Sequence, residues 1–553
     1  MTSASTSLVS PPRGAALDSA HLGDIKGAFG TISTEDTGSR RSVPAKLKTL
    51  LAIVGPGLIV MCGDNDAGAF STYGQTGQTY GTKLLWTFLL LVPVLYVNQE
   101  MVLRLGAVTG VGHARLILER FGRFWGAFSV IDLFILNALT IVTEFIGIAL
   151  AASYLGVPKI VGVILAAIVI VFAASTGSFR RFERVAMFFC LGSLLLIPLY
   201  VIAHPPVGQM AVGFVHPVVP GGAAHLGTVM LLIIGIVGTT VAPWQLFFQQ
   251  SYVIDKRITP RFIRYERADL WIGIVVVVIG GSALMGATAI AFAGVRHAQF
   301  TDAAGLAAGL AAYAGHAAGA IFAVALLDAS MIGAFAVSLS TAYALGDVLG
   351  LKHSLHRGVR QAKGFYAMYA AVIALAAAVV LLPGSPLGLL TIGVQVLAGV
   401  LLPSATVFLL LLCNDKEVLG PWVNGRVTNV LGVAVVGVLV LLSAILMISV
   451  VFGSISSGQV LTILLGGVAV GLAVAAAMLA RGWHRRRIGR ALAVAAVSAD
   501  RQGRDSWRMP PLAMLAPVRL SAGRRTGMVA MWLYLGMALV LVVVRVIVLA
   551  LGH

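Results

Sequence analysis

Long apolar runs separated by short polar stretches make up most of the chain from about residue 47 onwards. Each run is close to the roughly 20 residues that an α-helix needs to cross a bilayer. The pattern therefore predicts an all-α polytopic membrane protein. The expected spans, about thirteen in number, are 47–79, 83–104, 124–153, 157–177, 185–203, 224–252, 270–294, 315–347, 364–383, 386–413, 427–452, 459–480 and 527–550.

A short polar stretch, Gly63-Asp64-Asn65-Asp66-Ala67-Gly68, interrupts the first span. An Asp at the centre of a membrane helix costs about 3 kcal/mol even on the mildest insertion scale. The flanking glycines predict that the helix is broken here. Carbonyl groups freed by such a break are tolerated only where they line a cavity or a site. The stretch is therefore typical of a cation site.

The sixth span is interrupted by the stretch from Gly235 to Gln245, in which glycines and hydroxyl groups precede Pro243. Pro243 removes one helical hydrogen bond and clashes with the preceding turn. Two breaks that lie five spans apart predict two five-helix repeats, and an odd number of spans per repeat inverts the second one. A substrate site is then expected where the two broken helices meet, near the middle of the membrane.

Basic residues are frequent in the loops after even-numbered spans and rare in the others. This positive-inside pattern predicts a cytoplasmic N-terminus. The expected location is the plasma (inner) membrane of a prokaryote. The expected organisation is a disordered cytoplasmic tail, a first repeat, a second repeat, additional membrane helices, a basic cytoplasmic loop and a last membrane helix. These parts cover 1–45, 46–204, 224–414, 427–480, 481–525 and 527–550, respectively.

The composition excludes several classes of function. Of 553 residues, 59% are hydrophobic and 11% are charged, which is the balance of a membrane protein. The net charge of +18 comes largely from the loops, and no basic-aromatic array on a soluble domain predicts nucleic-acid binding. No nucleotide loop, metal-binding His cluster or nucleophile motif indicates a membrane-embedded enzyme. No cofactor is predicted, and the expected partners are the lipid bilayer and, from the two acids in the first break, a cation as substrate.

Several short motifs, in the same order along the chain, resemble those of the Nramp family of divalent-metal transporters over about residues 50 to 435. They are Gly55-Pro56-Gly57-Leu58, Asp66-Ala67-Gly68-Ala69, Gln75 with Gly77, Thr143-Glu144-Phe145-Ile146-Gly147, Ala242-Pro243-Trp244-Gln245-Leu246, Gln395-Val396, Leu402-Pro403 and 424–431. The resemblance implies a LeuT-like fold with two inverted five-helix repeats, broken helices 1 and 6, and two or three extra C-terminal helices. It also implies that the transported metal binds between the broken helices.

Two differences from the family motifs bear on the choice of metal. The resemblance implies a site made by an Asp, an Asn, a Met sulfur and backbone carbonyls. Here Asp66 keeps the acid, but Ala69 replaces the Asn and Ala242 replaces the Met. A thioether favours softer transition metals, whereas Mg²⁺ keeps several waters and binds one or two carboxylates. The pattern resembles the Nramp-related magnesium transporters and favours Mg²⁺, with Mn²⁺ as another hard cation.

The candidate metal-site residues are Asp66, Asp64, Thr239, Gln395 and Glu144. Each also has a structural interpretation. Asp66 could serve as an N-cap of the second half-helix, and Asp64 could cap exposed amides or face a vestibule. Glu144 could be a buried acid bonded to a neighbouring helix. Thr239 could bond back to its own helix, and Gln395 could make an interhelical hydrogen bond.

Positions that the family associates with proton movement carry Ile141, Trp244 and Gln249, and none of these side chains titrates near neutral pH. The sequence therefore favours uncoupled import by alternating access. Membrane potential would contribute about 4.6 kcal/mol per 100 mV for a divalent ion. One alternative is a proton-coupled Mn²⁺/Fe²⁺ transporter of the Nramp type. Another is an amino-acid transporter on the same fold, which the two acids at the first break disfavour.

Overall fold

The structure is a computed structural model. It describes residues 19–220, 226–294, 300–383, 387–452 and 503–515, with scattered residues in 458–476 and at 518, 528, 529, 533 and 536. Apart from one short hairpin, the regular structure in these residues is helical. Most of the predicted basic loop 481–525 and of the predicted last span 527–550 lies outside the described residues, as do residues 1–18.

Ten α-helices lie within residues 19–220. They are α1 (Val43–Ile53), α2 (Pro56–Cys62), α3 (Ala67–Tyr80), α4 (Trp86–Thr109), α5 (His113–Phe121), α6 (Arg123–Tyr154), α7 (Lys159–Ala174), α8 (Phe179–Gly192), α9 (Leu196–Ala203) and α10 (Val207–Val215). The first span is thus bent by 55° between α1 and α2, in addition to the expected break between α2 and α3.

The second half begins with the other broken span. Its helices are α11 (Leu226–Thr240), α12 (Pro243–Asp255), α13 (Ile263–Ala291), α14 (Ala303–Ala314), α15 (His316–Leu349), α16 (Lys363–Leu381), α17 (Leu387–Cys413), α18 (Lys416–Leu419) and α19 (Arg426–Phe452). Within the described residues, nine helices are long and apolar enough to cross a membrane, or up to ten if the bent pair α1–α2 is counted as one span.

The helices pack as expected for two inverted repeats, because equivalent helices of each repeat contact the other repeat in the same way. In the first repeat α3 is the second half of the broken helix, and it packs along α13, the second span of the other repeat. In the second repeat α12 is the corresponding half-helix, and it packs along α4, the second span of the first repeat. The third spans of the two repeats, α6 and α15, lie against each other. The predicted LeuT-like architecture is therefore confirmed.

The outer surface of the helices is apolar, as expected of an integral membrane protein. Phe172 on α7 and Phe188 on α8 are among its large exposed side chains, with 73% and 68% of their surface accessible. Soluble monomers rarely expose contiguous apolar patches of more than a few hundred Å². These faces are accordingly lipid-facing.

Helix α13 begins at Ile263, seven residues before the predicted start of that span at 270. Its first two turns contain Arg264 and Arg267. Because these residues are charged, the apolar pattern of the sequence placed them outside the predicted span. The same turns bury the side chains of Glu266 and Asp269 against the protein. The helix continues through the charged stretch because its acidic side chains face the interior.

Residues 19–41, called the N-terminal segment below, are ordered, in contrast to the predicted disordered tail. Strands β1 (Ile25–Lys26) and β2 (Thr31–Ile32) pair in an antiparallel hairpin. Arg180 donates to the carbonyls of Gly27 and Gly30 at 3.0 and 3.1 Å, and Arg184 to that of Ala28 at 3.1 Å. Composition predicted disorder because it does not show that loop arginines hold these carbonyls.

Candidate metal centre

The first break lies between the last residue of α2, Cys62, and the first residue of α3, Ala67. Asp66 is the N-cap of α3, and its Oδ1 accepts a hydrogen bond from the amide of Ala69 at 2.8 Å. The side chains of Asp64 and Asp66 are both buried. The N-cap interpretation of Asp66 is thus realised, and it leaves Oδ2 and the remaining lone pairs of Oδ1 to other partners.

The second break faces the first. Helix α11 ends at Thr240 and α12 begins at Pro243, so Val241 and Ala242 form the interruption. The Oγ1 of Thr239 lies 3.5 Å from Asp66 Oδ1, in donor orientation. The hydroxyl of Thr240 bonds back to the carbonyl of Ile236 at 2.5 Å and lies 2.7 Å from the hydroxyl of Tyr73 on α3. Of the two adjacent threonines, Thr239 is the one whose hydroxyl reaches Asp66.

Glu144 on α6 lies directly beside the first break. Its Oε2 accepts a hydrogen bond at 3.2 Å from the amide of Ala67, the residue that follows Asp66. Its Oε1 is buried without a hydrogen-bond partner. A Cβ at Gly333, on the facing helix α15, would lie 2.7 Å from Glu144 Cδ. The close approach of α15 thus holds this carboxyl group against the start of α3.

Gln395 on α17 covers the first turn of α3. A Cβ at Gly68 would lie only 1.8 Å from Gln395 Nε2, so the amide rests on the glycine backbone. Nε2 is buried and has no hydrogen-bond partner. Because the two ends of an amide are nearly equal in shape, a half-turn would present the oxygen at the same place. Gln395 is therefore one of the groups that surround the N-terminus of α3.

Asp64 points to a different set of partners from Asp66. Its Oδ1 accepts a hydrogen bond from Gln245 Nε2, and Gln245 Oε1 in turn accepts one from Gln99 at 2.8 Å. Its Oδ2 is buried and unpartnered. The structure thus groups Asp66, Glu144, Thr239 and Gln395 at one place and binds Asp64 to the second break through Gln245. Gln245 was named in a motif, but its side-chain role was not predicted.

The chemistry of the cluster is that of an oxygen site. It offers two carboxyl groups, a hydroxyl group and an amide, and oxygen ligands suit Mg²⁺ and Mn²⁺. Ala242 supplies only a methyl group. Among the residues that the structure describes, no three His, Cys, Asp or Glu side chains form a group that could hold a metal. Any ion bound here would need neutral oxygens or water as well.

A buried ion pair closes the interior on one side of the break. Lys256, just after α12, has no exposed side-chain surface, although the charge pattern places it in a basic loop. Its Nζ donates to Glu183 Oε1 at 2.7 Å and to the carbonyls of Ile53 and Val54 at 2.6 and 2.9 Å. Glu183 Oε2 accepts from the amide of Ala28 at 2.5 Å. The pair therefore ties α8, α12 and the α1–α2 bend to the N-terminal segment.

Asp269 on α13 binds the N-terminal end of α2. Its Oδ2 accepts from the amides of Gly55 and Gly57 at 3.2 and 2.6 Å, and its Oδ1 accepts from Leu58 at 3.3 Å. A carboxylate at a helix N-terminus satisfies amides that the helix leaves unpaired. No sequence pattern pointed to Asp269, Glu183 or Lys256. Lys256 and Glu183 pair with each other, and the remaining partners of all three are backbone groups distant along the chain.

Comparison with known proteins gives a consistent assignment. The family described as "Natural resistance-associated macrophage protein-like" (Nramp) matches residues 57–449. The "Divalent metal cation transporter MntH" of Ralstonia nicotianae is 30% identical over 398 residues, which are 69% of this chain and 87% of that protein. The Deinococcus radiodurans protein of the same name is 26% identical, over 73% of this chain and 91% of its own.

A solved structure also resembles this one. The crystal structure of the Eremococcus coleocola manganese transporter with an aromatic bis-isothiourea substituted compound aligns with a TM-score of 0.61 and 22% identity. The alignment covers 82% of this chain and 99% of that protein, which supports the fold. With the match over most of the membrane region, these similarities show that the chain belongs to the Nramp family.

Proposed function

We propose that this protein carries a divalent metal cation across the membrane by alternating access. The observation that carries the proposal is the meeting of the two breaks, where Thr239 Oγ1 lies 3.5 Å from Asp66 Oδ1. Glu144 and Gln395 lie against the same turn of α3. A site between two broken helices is where a transporter of this architecture binds its substrate. The Asp66, Glu144, Thr239 and Gln395 oxygens are the proposed ligands, and Asp64 is proposed to act through Gln245 or through water.

Manganese is the ion that we propose first. The curated relatives are named divalent metal cation transporters, and the similar solved structure is a manganese transporter. These names favour the Nramp-type alternative over the Mg²⁺ preference derived from the sequence, which they do not support. Mn²⁺ is itself a hard cation that accepts carboxylate, carbonyl and water ligands. An oxygen site without a thioether is therefore compatible with it.

Magnesium is a second candidate for one specific reason. Ala242 and Ala69 stand where the family motif has Met and Asn, so two side-chain ligands are replaced by methyl groups. The space they leave would suit water molecules, and Mg²⁺ usually keeps several of its waters. The two ions differ in how much of their hydration shell they must lose, which makes direct competition informative.

The proposal includes a proton in the site, in contrast to the uncoupled transport that the sequence favoured. The carboxyl groups of Asp66 and Glu144 accept hydrogen bonds from the amides of Ala69 and Ala67, both in the first turn of α3. Two buried carboxyl groups at one site do not both ionise readily, so one of them is proposed to keep its proton in the absence of metal. A divalent cation that binds between them would displace this proton, because metal ligands must be deprotonated. Metal and proton binding are then mutually exclusive at the site.

We also propose the orientation and membrane that the charge pattern predicts. Arg180, Arg184 and Arg257 all bind the N-terminal segment, so this end of the protein carries the basic loops. By the positive-inside rule this end is cytoplasmic. The proposed location is the inner membrane of a bacterium, with the inverted repeats at 46–204 and 224–414.

Uptake by purified protein in proteoliposomes tests the proposed function. Mn²⁺ should enter the vesicles, and unlabelled Mg²⁺ in excess should compete weakly if Mn²⁺ is the preferred substrate. Equal competition by Mg²⁺ would favour the second candidate. An Ala242→Met variant should gain affinity for Cd²⁺, a soft ion, while Mn²⁺ uptake remains. If neither Mn²⁺ nor Mg²⁺ enters faster than into empty vesicles, the proposed function is wrong.

A further inference from the structure

A basic cavity lies at the arginine-rich end of the protein, outside the metal centre. It has a volume of about 530 Å³ and is lined by the N-terminal segment, the start of α13, Trp422 and residues 504–505. Six of its lining residues are arginines and one, Asp505, is an acid. The arginines are Arg40, Arg41, Arg261, Arg264, Arg267 and Arg504.

Only two of these arginines are neutralised by carboxylates within the described residues. Arg40 pairs with Asp36 at 2.8 Å, and Arg267 pairs with Glu100 at 2.6 Å. In the same part of the structure, the other four have no carboxylate oxygen at ion-pair distance. Asp505 is a single acid beside these arginines, so the lining of the cavity carries a net positive charge.

Three of the four uncompensated guanidinium groups are nevertheless held in place. Arg261 donates to the carbonyls of Asp36 and Gly38. Arg264 lies 4.8 Å from the ring centre of Tyr265 and bonds to its hydroxyl at 3.1 Å. Arg504 lies 3.9 Å over the ring of Trp422. Carbonyls and rings fix these side chains without cancelling their charge, which leaves them preorganised for an anion.

Size and charge together define the ligand. Ligand sites usually occupy about 300–1,000 Å³, and guanidinium forks match the oxygens of a phosphate group. Arg40 and Arg41 of the lining directly precede α1, on which Val43 and Leu47 are 74% and 55% exposed and lie one turn apart. A phosphate held here could belong to a lipid of the adjoining leaflet.

We propose that this cavity binds a polyanionic phosphate group, either the headgroup of an anionic phospholipid or a soluble polyphosphate. The bound group bridges Arg41 of the N-terminal segment to Arg264 of α13 and to Arg504 beyond the last described span. It thereby fastens the N-terminal segment, which also contacts the Lys256–Glu183 pair, to the helical body.

The test uses the full-length protein in a neutral detergent. In one arm, pyrophosphate is titrated in by calorimetry. In the other, native mass spectrometry counts retained cardiolipin against phosphatidylcholine. Arg41→Gln/Arg264→Gln should weaken binding in at least one arm by about thirtyfold, from the loss of two cations near the surface. The affected arm identifies the source of the phosphate. The matched control is Arg123→Gln/Arg181→Gln, which removes two exposed arginines outside the cavity and should bind as the unchanged protein does.

A second variant separates charge from folding. Arg41→Lys/Arg264→Lys keeps both positive charges and should retain most of the affinity, even if the Gln variant is less stable. Equal affinity of the Gln variant and its control in both arms would overturn the proposal. The proposal would also be overturned if the unchanged protein did not bind pyrophosphate and retained cardiolipin no better than phosphatidylcholine. Metal uptake is not part of either readout, so the result is independent of the proposed transport function.

Discussion

Lys256 and Glu183 form an ion pair of 2.7 Å in which neither side chain is exposed to solvent. The pair joins the end of the second broken helix to α8. Through two carbonyls, Lys256 also holds the bend before α2. It therefore lies where the two repeats would have to separate for the site to open on this side.

Replacing Lys256 with Met should destabilise the protein. Loss of one partner from a buried ion pair costs about 3–5 kcal/mol, because the other charge stays buried and unpaired. Thermal unfolding in detergent should show the loss. The double variant Lys256→Met/Glu183→Gln should recover part of it, since the stranded carboxylate is also removed. A double variant that is no more stable than Lys256→Met would argue against the pair as the cause.

Removing residues 1–36 should loosen the same region. The deletion takes away the amide of Ala28 that binds Glu183 and the carbonyls that bind Arg180 and Arg184. Hydrogen exchange in α8 and at the end of α12 should become faster, because opening there needs fewer bonds to break. Removal of residues 1–18 alone is the control and should leave these rates unchanged. Identical exchange in both truncated proteins would mean that the segment does not restrain the helices.

The contact between α11 and α17 should not tolerate a side chain at Gly238. A Cβ there would lie 2.0 Å from the carbonyl oxygen of Gln395 and 2.4 Å from the amide of Gly399. Gly238→Ala should therefore cost at least the 1–3 kcal/mol that is typical of overpacking, and should displace Gln395 from the site. Gly393→Ala on α17 meets no atom within 4 Å and is the matched control. Folded yield by size-exclusion chromatography is the readout, and equal yields would contradict the predicted clash.

His353, in the loop after α15, should make stability depend on pH. Burial would lower its pKa, but the Asp347 carboxylate 3.1 Å away and the carbonyl of Leu351 raise the pKa to about 9. The folded pKa lies above the unfolded value of about 6.5. The contribution is therefore complete below about pH 6.5 and is lost as pH rises through about 9.

His353→Gln tests this dependence. The variant should be less stable than the unchanged protein at pH 6, by on the order of 3 kcal/mol. The two proteins should converge near pH 10, where the imidazole is neutral in both states. Unfolding temperatures at the two pH values measure the difference. A gap of the same size at both would show that His353 acts through packing alone.

The sequence was sufficient for the broken helices and for most of the cluster around Asp66, because acids and prolines inside apolar runs are costly unless they form a break or a site. The sequence predicted an exposed loop position for Lys256, because it is close to several arginines, whereas its side chain is buried. Asp269 and Glu183 were missed because their backbone partners leave no pattern in the side chains. The N-terminal segment was misjudged for the same reason.

Metal binding should weaken as pH falls. If Asp66 and Glu144 share a proton in the absence of metal, that proton competes with the cation, and acidification favours the protonated form. Mn²⁺ affinity should therefore rise with pH, and Mn²⁺ entry should move protons out of the site. A Glu144→Gln variant should lose most of this dependence. Mn²⁺ affinity that is independent of pH in the unchanged protein would exclude the shared proton.

The most direct test of the account is Mn²⁺ uptake into proteoliposomes by Asp66→Asn beside Asp132→Asn. Both changes remove one carboxylate inside the membrane region, but Asp132 bonds to Ser404 on α17, away from the breaks. Asp66→Asn should lose at least about tenfold in uptake, the low end of the loss caused even by an outer-shell partner of a metal. Asp132→Asn should keep its activity. Undiminished uptake by Asp66→Asn would contradict a metal site at the meeting of the two broken helices.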